Sequence, residues 1–456
     1  MKSYFKVGFL LLLWSLMVGC EQPAKDYKAA AANPEFFRQS VNKLTAVIVH
    51  DIFSPPVASR IYAYPHIAAY EILIHDYPQY QSLKGQLNGF TGVPQPAKDS
   101  VYCFPLASLQ AFLAVGRNLT FSGDMLDEYE KQLHDKYSGM GVPREVQVRS
   151  LRYGQAVANA IMAYANEDGY KQTRGFRHQV KKQAGHWVPT PPAYMDAIEP
   201  NWFKVRPFVM DSCSQFTPAK PVAFNPVKGS PFYQEMLQVY ETTNQLTDEQ
   251  RAIASFWDCN PFVMHVTGHV MYATKKITPG GHWLGIASIA SRQAGSDMMQ
   301  TLEALTRVSL SLADGFISCW DEKYRSDRIR PETAINAHLD NNWVPLLQTP
   351  PFPEYPSGHS VISNAAAVVL TELFGPAFAY TDSTEVPYGL PARPFKSFQA
   401  AADEAAISRL YGGIHFMSAI ENGATEGAQV GKYLVTKLKT RKPAGVVATV
   451  TPYQQK

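Results

Sequence analysis

The sequence predicts an all-α protein built from many packed helices. Apolar residues recur every three or four positions along most of the chain beyond residue 34, which is the period of an amphipathic helix. Strand-like alternation of apolar and polar residues is rare. Hydrophobic residues make up 46% of the 456 residues and aromatic residues 12%, which is enough for a sizeable core. A folded helical protein is therefore expected, although the length alone leaves the number of domains open.

The overall charge argues against a nucleic-acid-binding protein. The chain has 42 Lys and Arg residues against 39 Asp and Glu residues, so its formal net charge is only +3. A nucleic-acid-binding surface normally needs a marked excess of basic residues. We therefore expect no nucleic acid among the partners.

The N-terminus is typical of an exported bacterial lipoprotein. Lys2 and Lys6 precede an apolar run of twelve residues, which is too short for a membrane-spanning helix. Residues 16–20, Leu-Met-Val-Gly-Cys, resemble the lipobox, at which the signal is cleaved and the new N-terminal cysteine is lipidated. A signal peptide over residues 1–19 and a lipid anchor on Cys20 would attach the protein to the cell envelope, in the periplasm or at the outer membrane or cell surface. The alternative is an ordinary cleaved signal with an incidental cysteine.

The remaining chain divides into a tether, a helical domain and a tail. Residues 20–33 contain an alanine run and predict the tether, residues 34–440 the domain, and residues 441–456 the tail. The domain is predicted to be helical from about residue 34 onwards, and examples of its helices cover residues 36–51, 56–75, 106–121, 144–166, 248–257, 284–312, 357–374 and 400–410. Residues 168–232 and 375–398 are richer in proline, glycine and aromatic residues and predict long ordered loops with a functional role.

Three short segments in the C-terminal third carry the residues of an anion site. They are residues 323–331 (Lys-Tyr-Arg-Ser-Asp-Arg-Ile-Arg-Pro), 356–359 (Pro-Ser-Gly-His) and 408–415 (Ser-Arg-Leu-Tyr-Gly-Gly-Ile-His). Together they supply three cations, a hydroxyl, a glycine amide and two imidazoles, which is the set of groups that binds a tetrahedral oxyanion. The candidate residues are Lys323, Arg330, Ser357, Gly358, His359, Arg409 and His415.

Local sequence features indicate how each of the three segments could present its residues to an anion. Ser357 opens a long helical pattern, and the free N–H groups at the start of a helix attract anions. Lys323 and Arg330 are seven positions apart, which places them on one face if the helix continues, although Pro331 favours an irregular end. The glycine pair in the third segment permits the chain to turn back.

In this order and spacing the three segments resemble the signature shared by type 2 phosphatidic acid phosphatases, bacterial class A acid phosphatases and vanadium-dependent haloperoxidases. Between the first two segments lie 24 residues, and between the second and the third lie 48. Further stretches at residues 54–60, 254–257 and 350–355 resemble the exported bacterial haloperoxidases, and among them the iodoperoxidase-like proteins. The resemblance covers nearly all of the mature chain and implies an all-helical fold built around two four-helix bundles.

The resemblance also implies a pocket for vanadate. The residues that would hold the vanadate are Lys323, Arg330, Ser357, Gly358, Arg409 and His415. His415 would bind the vanadium itself, His359 would act as acid–base catalyst, and Lys323 would polarise bound peroxide.

The implied activity is the oxidation of a halide by hydrogen peroxide to hypohalous acid, and the resemblance to iodoperoxidases favours iodide. Trp320 and Phe352 match aromatic positions near vanadate in chloroperoxidases and iodoperoxidases, so they are candidates for a halide pocket together with Asp321. Ordinary core packing explains the two aromatic residues equally well. A helix-surface carboxylate is the simpler interpretation of Asp321.

Two other functions fit the same residues. A phosphomonoesterase of the same superfamily would hold phosphate here, with His415 attacking phosphorus to form a phosphohistidine and His359 protonating the leaving oxygen of the ester. A lipoprotein that binds phosphate or vanadate without turnover would need the cations and amides but not the two imidazoles. The oligomeric state is not predicted.

Four cysteines remain once Cys20 is set aside: Cys103, Cys213, Cys259 and Cys319. Disulfides are permitted in an exported protein, and four cysteines allow three pairings, so one or two bridges or none fit equally well. Because the sequence has no CxxC pair, a cysteine-based zinc site is not expected.

Overall fold

The computed structural model describes residues 27–443 apart from residue 268, and it confirms the all-α prediction. The α-helices in this part of the chain are α1 (Tyr27–Ala31), α2 (Glu35–His50), α3 (Pro55–Leu73), α4 (Phe104–Leu119), α5 (Asp127–Gly139), α6 (Arg144–Asn166), α7 (Tyr170–Thr173), α8 (Pro231–Asn244), α9 (Asp248–Phe256), α10 (Pro279–Gln293), α11 (Met298–Ser326), α12 (Pro331–His338), α13 (Gly358–Phe374), α14 (Phe398–Tyr411) and α15 (Met417–Lys437). The strands form two short antiparallel hairpins, β1 (Val263–Thr267) with β2 (Val270–Thr274) and β3 (Tyr380–Asp382) with β4 (Arg393–Phe395).

Helix α11 lies at the centre of the fold. It packs against α3, which in turn packs against α4 and α6. It also packs against α10, α13 and α15, so two groups of helices share this one element. Between Met298 and Lys323 nearly every residue is buried, polar ones included. The helix is therefore fixed by its neighbours along its whole length, and its C-terminal end is held rigidly where the first signature segment begins.

The helix predicted over residues 284–312 is two helices, α10 and α11. Gly295 between them has a φ of 65°, a left-handed conformation that glycine adopts at little cost. Asp297 then caps α11, because its carboxylate accepts from Gln300 N (2.8 Å) while the Gln300 side chain accepts from Asp297 N (3.0 Å). The apolar period continues on both sides of this break, which is why periodicity alone concealed it.

Glycines let α15 approach α13 closely. Gly423, Gly427 and Gly431 recur every four residues and lie against the backbone of α13. A methyl group on Gly423 would lie 2.9 Å from the carbonyl oxygen of Ser357, and one on Gly431 would lie 2.7 Å from that of Ala365. Since Ser357 immediately precedes α13, this contact fixes the end of the helix that carries the Ser-Gly-His segment.

The ends of the described chain are more ordered than the predicted tether and tail. Residues 27–31, expected in the tether, form α1, and Ala31 is buried with its carbonyl oxygen accepting a hydrogen bond from Tyr137 Oη (2.7 Å). Arg441, expected in the tail, forms an ion pair with Glu303 (2.7 Å). Both ends of residues 27–443 are thus attached to the helical core.

Several sequence-based expectations lie outside the described residues, namely the signal peptide, the lipidated Cys20 and residues 444–456 of the tail. No helix within residues 27–443 combines the length and the apolar character needed to cross a bilayer. The cysteines in this part of the chain, Cys103, Cys213, Cys259 and Cys319, are all unbridged.

Candidate active site

The second and third signature segments line one small buried cavity, and the first lies beside it, in contact with His415 through Arg330. The first segment covers the end of α11 and the turn after it, the second begins α13, and the third covers the end of α14 and the loop that follows. The cavity volume is about 30 Å³, which is room for roughly two water molecules or a small anion. Its lining residues are Pro55, Cys259, Asn260, Pro279, Phe316, Trp320, Pro350, Phe352, Gly358, His359, Arg409 and His415.

Arg330 lies beside this cavity, although not for the reason that the spacing suggested. Helix α11 ends before Asp327, which has a left-handed φ of 49°, so Lys323 and Arg330 do not share a helical face. The same-face expectation is therefore wrong, because the chain turns before Arg330. Arg330 Nε donates to Phe352 O and Nη1 to Ile414 O, both at 2.8 Å. Its Nη2 is buried and has no hydrogen-bond partner among the described residues.

Arg409 lies in the last turn of α14 and is only 1% exposed. Its Nη1 donates to Trp257 O at 2.9 Å, whereas its buried Nε lacks a partner within residues 27–443. Gly413 then adopts a φ of 74° and turns the chain, as the glycine pair predicted. This turn brings His415 to the same cavity as Arg409.

The ring of His415 is held in one tautomer by Glu354. His415 Nδ1 lies 2.9 Å from Glu354 Oε1, and because a carboxylate only accepts hydrogen bonds, Nδ1 carries the proton. The unprotonated Nε2 lies 3.2 Å from Arg330 Nη1. Burial, together with the charges of Arg330, Lys323 and Arg409, lowers the pKa of His415 well below its ordinary value. His415 thus presents a neutral ring nitrogen suited to binding a metal.

Glu354 is a site residue that sequence reasoning did not assign. It is fully buried and also accepts from Phe416 N (3.0 Å) and from Arg328 Nη1 (3.2 Å). Burial raises the pKa of Glu354, while the charges of Arg328 and Arg330 oppose this effect and favour the ionised form. No sequence pattern connects Glu354 with His415, since 61 positions separate them.

His359 contributes the second imidazole. It is the second residue of α13, and its ring is hydrogen-bonded to the backbone of Trp257. Its Nε2 is buried without a partner in the described chain. Burial and the charge of Arg409 lower the pKa of His359 well below its ordinary value, so the ring is neutral and can accept a proton.

Ser357 and Gly358 occupy the start of α13, as predicted. Ser357 is the N-cap residue, and its Oγ accepts from Ser360 N at 3.3 Å. Gly358 is the first helical residue, so its N–H has no acceptor within the helix. A side chain on Gly358 would lie 3.6 Å from the Trp320 ring and 3.9 Å from Lys323 Cε. The glycine therefore keeps the cavity open at the positive end of the helix dipole.

Lys323 lies behind the cavity and does not point a free donor into it. Its Nζ donates to the carbonyl oxygens of Pro353 (3.0 Å), Glu354 (3.1 Å) and Pro356 (2.5 Å), which uses all three ammonium protons. Complete burial lowers the pKa of Lys323 to about 8. In this structure Lys323 contributes positive charge and holds the segment that carries Glu354. The donation to a bound anion that the resemblance implies stays a prediction.

Two of the three proposed halide residues line the cavity. Trp320 and Phe352 contact each other, with ring centroids 5.0 Å apart, and Phe316 extends the same aromatic wall. Asp321 is not part of the lining; it accepts from Cys213 Sγ (3.7 Å) and pairs with Arg325 (3.1 Å). The simpler interpretation of Asp321, a carboxylate away from the pocket, agrees with this position.

The predicted loop over residues 168–232 supports the aromatic wall. The carbonyl oxygen of Ile198 accepts from Trp320 Nε1 (3.2 Å) and from Tyr324 Oη (2.6 Å), and Ile198 N donates to Pro351 O (3.0 Å). The loop thereby links α11 with the proline-rich segment that precedes α13.

The unpaired polar atoms show what kind of ligand the cavity is built for. Arg330 Nη2 and Arg409 Nε are buried donors that lack acceptors among the described residues, and each such donor costs about 1–3 kcal/mol if it stays unpaired. The ring nitrogens of His359 and His415 and the N–H of Gly358 lie at the same cavity. A small tetrahedral oxyanion satisfies the donors and leaves one ring nitrogen to bind its central atom. The fold and the site therefore define an all-α protein with a buried oxyanion centre.

Comparison with known proteins identifies the family. A family model for the VCPO second helical-bundle domain matches residues 303–442. The crystal structure of the first bacterial vanadium-dependent iodoperoxidase is 50% identical in sequence, covers 90% of this chain and 98% of its own, and has a TM-score of 0.84. The chain belongs to the vanadium-dependent haloperoxidases, a family of peroxidase enzymes whose cofactor is vanadate.

More distant structures support the fold alone. The holo-type and apo-type bacterial vanadium-dependent chloroperoxidase are 16% and 15% identical, with TM-scores of 0.64 and 0.62. Each alignment covers 85% of this chain, and 93% and 95% of the respective chloroperoxidase chain. A search of curated proteins gives no match.

Proposed function

We propose that this protein binds vanadate at His415 and uses hydrogen peroxide to oxidise a halide, with iodide preferred. The observation that carries the proposal is the pair of unpaired buried donors, Arg330 Nη2 and Arg409 Nε, beside the unprotonated Nε2 of His415. Unpaired donors and an unprotonated ring nitrogen are what an oxyanion of vanadium requires, and the hydrogen bond from Arg330 Nη1 to His415 Nε2 would give way to the metal. The residues present therefore fit the cofactor of the family.

Each residue of the site has a defined task. His415 would bind vanadium through Nε2, while Glu354 keeps the proton on Nδ1. Arg330, Arg409 and the N–H of Gly358 would donate to the vanadate oxygens. When bound, vanadate supplies a Lewis-acid centre that activates peroxide towards attack by a halide.

The neutral ring of His359 suits it to move a proton. Its Nε2 has no partner in the described part of the chain, and burial lowers its pKa well below the ordinary value, so at neutral pH the ring is unprotonated and its lone pair is available for a proton. His359 would take a proton from incoming hydrogen peroxide.

The walls of the cavity support the proposed preference for iodide. The wall beside Gly358 consists of Trp320, Phe352 and Phe316, with prolines around it. Moving a halide into such apolar surroundings costs hydration free energy, and the cost is smallest for the largest ion, which is iodide. The 50% identity to a bacterial iodoperoxidase supports the same choice.

Two assays on the same preparation test this function. Vanadate-loaded protein is expected to oxidise iodide in the presence of hydrogen peroxide, with activity lost in His415→Ala and retained in His50→Ala, a half-exposed histidine. The vanadate-free protein is assayed with p-nitrophenyl phosphate. Phosphate ester hydrolysis without any halide oxidation would assign the phosphomonoesterase function instead, and neither activity would leave a binding protein.

We also propose that the mature protein is exported and anchored by a lipid on Cys20, because the sequence before Cys20 resembles a lipobox. Growth of expressing bacteria with a radiolabelled fatty acid is expected to label the wild-type chain but not Cys20→Ser. Equal labelling of both chains, or none, would contradict the anchor.

A further inference from the structure

A second polar cluster lies next to the vanadate cavity and takes no part in the proposed reaction. Cys259 follows α9, His282 lies in α10, and Glu385 follows β3, so three separate parts of the chain converge. All three side chains are buried. Cys259 also lines the vanadate cavity, so the cluster lies in the wall of the active site.

The three potential ligand atoms form a compact triangle. His282 Nδ1 lies 3.3 Å from Cys259 Sγ and 3.1 Å from Glu385 Oε1, and the sulfur lies 3.6 Å from the same oxygen. In a tetrahedral zinc site, bonds of about 2.3 Å to sulfur and about 2.0–2.2 Å to nitrogen and oxygen place the ligand atoms about 3.3–3.6 Å apart. The triangle therefore has nearly the dimensions of three corners of that tetrahedron.

The other ring nitrogen of His282 is hydrogen-bonded to a carboxylate, as is common for histidines that bind metals. His282 Nε2 lies 2.7 Å from Asp382 Oδ2, and Asp382 is itself fixed because its Oδ1 accepts from Thr384 N (2.9 Å). The ring stacks on Trp257, with centroids 4.6 Å apart and an interplanar angle of 17°. A carboxylate on one ring nitrogen directs the lone pair of the other nitrogen towards the metal.

We propose that Cys259, His282 and Glu385 bind Zn²⁺, with a water molecule as the fourth ligand. A thiolate, an imidazole and a carboxylate are the ligand types that zinc accepts together, whereas Mg²⁺ and Ca²⁺ require oxygen ligands. Thr384, which precedes Glu385 in the chain, lines a surface pocket together with Pro387 and Tyr388, so the cluster lies close to the surface on this side. The sequence concealed this site because its ligands are not in a CxxC pair or in any short spacing.

The bound metal would stiffen one wall of the vanadate cavity. Cys259 and Asn260 contribute to that wall, and the Trp257 carbonyl oxygen accepts from Arg409. A metal bound to Cys259 would restrain this short segment, which covers residues 257–260. The alternative is a purely hydrogen-bonded cluster, in which an imidazolium lies between Asp382 and Glu385 and the thiol stays protonated.

Metal analysis of the full mature protein distinguishes a zinc site from a purely hydrogen-bonded cluster. Protein purified without chelators is expected to contain roughly one zinc per chain, and Cys259→Ser and Glu385→Gln are expected to lose it. Cys103→Ser is the matched control, since Cys103 is also buried but lies outside the cluster, and it should keep the zinc. Vanadium is measured in the same samples, so failure of vanadate binding is recorded separately.

Cobalt substitution tests the zinc site in the wild-type protein, so the result does not depend on whether the variants fold. Wild-type protein refilled with Co²⁺ is expected to show the intense near-ultraviolet charge-transfer band of a cobalt–thiolate bond. The proposal is overturned if the purified protein lacks zinc and neither binds added Zn²⁺ nor gains thermal stability from it. It is equally overturned if another metal occupies the cluster, if the cobalt spectrum lacks the thiolate band, or if Cys103→Ser loses zinc as Cys259→Ser does.

Discussion

Glu354 decides which nitrogen of His415 is available to a metal, and its charge raises the basicity of that nitrogen. Replacing it by glutamine keeps the size but removes the charge, so we expect vanadate affinity to fall by about 10–100-fold in Glu354→Gln. Equilibrium dialysis against vanadate measures this. Glu71→Gln is the control, because Glu71 is also buried and accepts two hydrogen bonds but lies elsewhere. An unchanged affinity in Glu354→Gln would contradict the role given to this carboxylate.

Lys323 is expected to matter for stability as well as for activity. Its ammonium group satisfies the carbonyl oxygens of Pro353, Glu354 and Pro356, all in a buried segment. Lys323→Met keeps most of the length of the side chain but leaves these acceptors unpaired. At about 1–3 kcal/mol for each of the three unpaired buried acceptors, we expect the free energy of unfolding to fall by at least about 3 kcal/mol. Urea unfolding measures it, and unchanged stability with lost activity would instead indicate direct contact with the bound anion.

At the residue scale, the sequence predicted the local parts of the site and missed the distant ones. Ser357 caps α13 and Gly358 begins it, as the start of the helical pattern indicated. The partner of His415 could not be predicted, because Glu354 reaches it only through the tertiary fold. The same holds for the hydrogen bonds of Lys323, since sequence reveals a cation but not which acceptors surround it.

At the scale of the elements, the contact between α13 and α15 positions the second signature segment. A methyl group on Gly427 would collide with the backbone of Val361 in α13. We expect Gly427→Ala to lower the free energy of unfolding by about 1–3 kcal/mol through overpacking. Gly139→Ala is the matched control, because Gly139 ends α5 and a methyl group on it would have no neighbour within 4 Å. Urea unfolding of both variants checks this, and equal stability of the two would argue against close helix packing as the reason for the glycines.

The helices that the sequence predicted well are those with a regular apolar period, such as α6, whose observed bounds Arg144–Asn166 match the prediction. Helix α15 does not stand out in the sequence because Gly423, Gly427 and Gly431 have low helix propensity, and only the tertiary contact with α13 explains them. Helix α5 does not stand out because it is mostly charged and buries only Tyr129, Leu133 and Tyr137. Both helices depend on tertiary contacts with neighbouring elements, which the sequence does not reveal.

At the scale of the whole molecule, buried neutral histidines make stability depend on pH. His66 is fully buried, and burial lowers its pKa from 6.5 to about 4. Above pH 6.5 the ring is neutral in both folded and unfolded chains, so it has no effect there. As the pH falls from 6.5 towards 4, the unfolded chain takes up a proton that the folded chain does not, and stability is lost. At about 1.4 kcal/mol per pKa unit, the full loss from His66 is about 3 kcal/mol.

This loss can be measured by urea unfolding at a series of pH values between 7 and 4. We expect His66→Gln to lose less stability over this range than the wild type, by about 3 kcal/mol. His50→Gln, which replaces a half-exposed histidine, should follow the wild type. A parallel pH dependence in His66→Gln and wild type would show that His66 is not held neutral by the fold.

The central claim is that one buried cavity binds vanadate through His415 Nε2, with Arg330 and Arg409 supplying the donors. A crystal structure of the vanadate-loaded protein, recorded with the anomalous signal of vanadium, tests it most directly. We expect one vanadium bonded to His415 Nε2, with its oxygens accepting from Arg330 Nη2 and Arg409 Nε. Vanadium bonded to another residue, or bound without contact to these two arginines, would contradict the account.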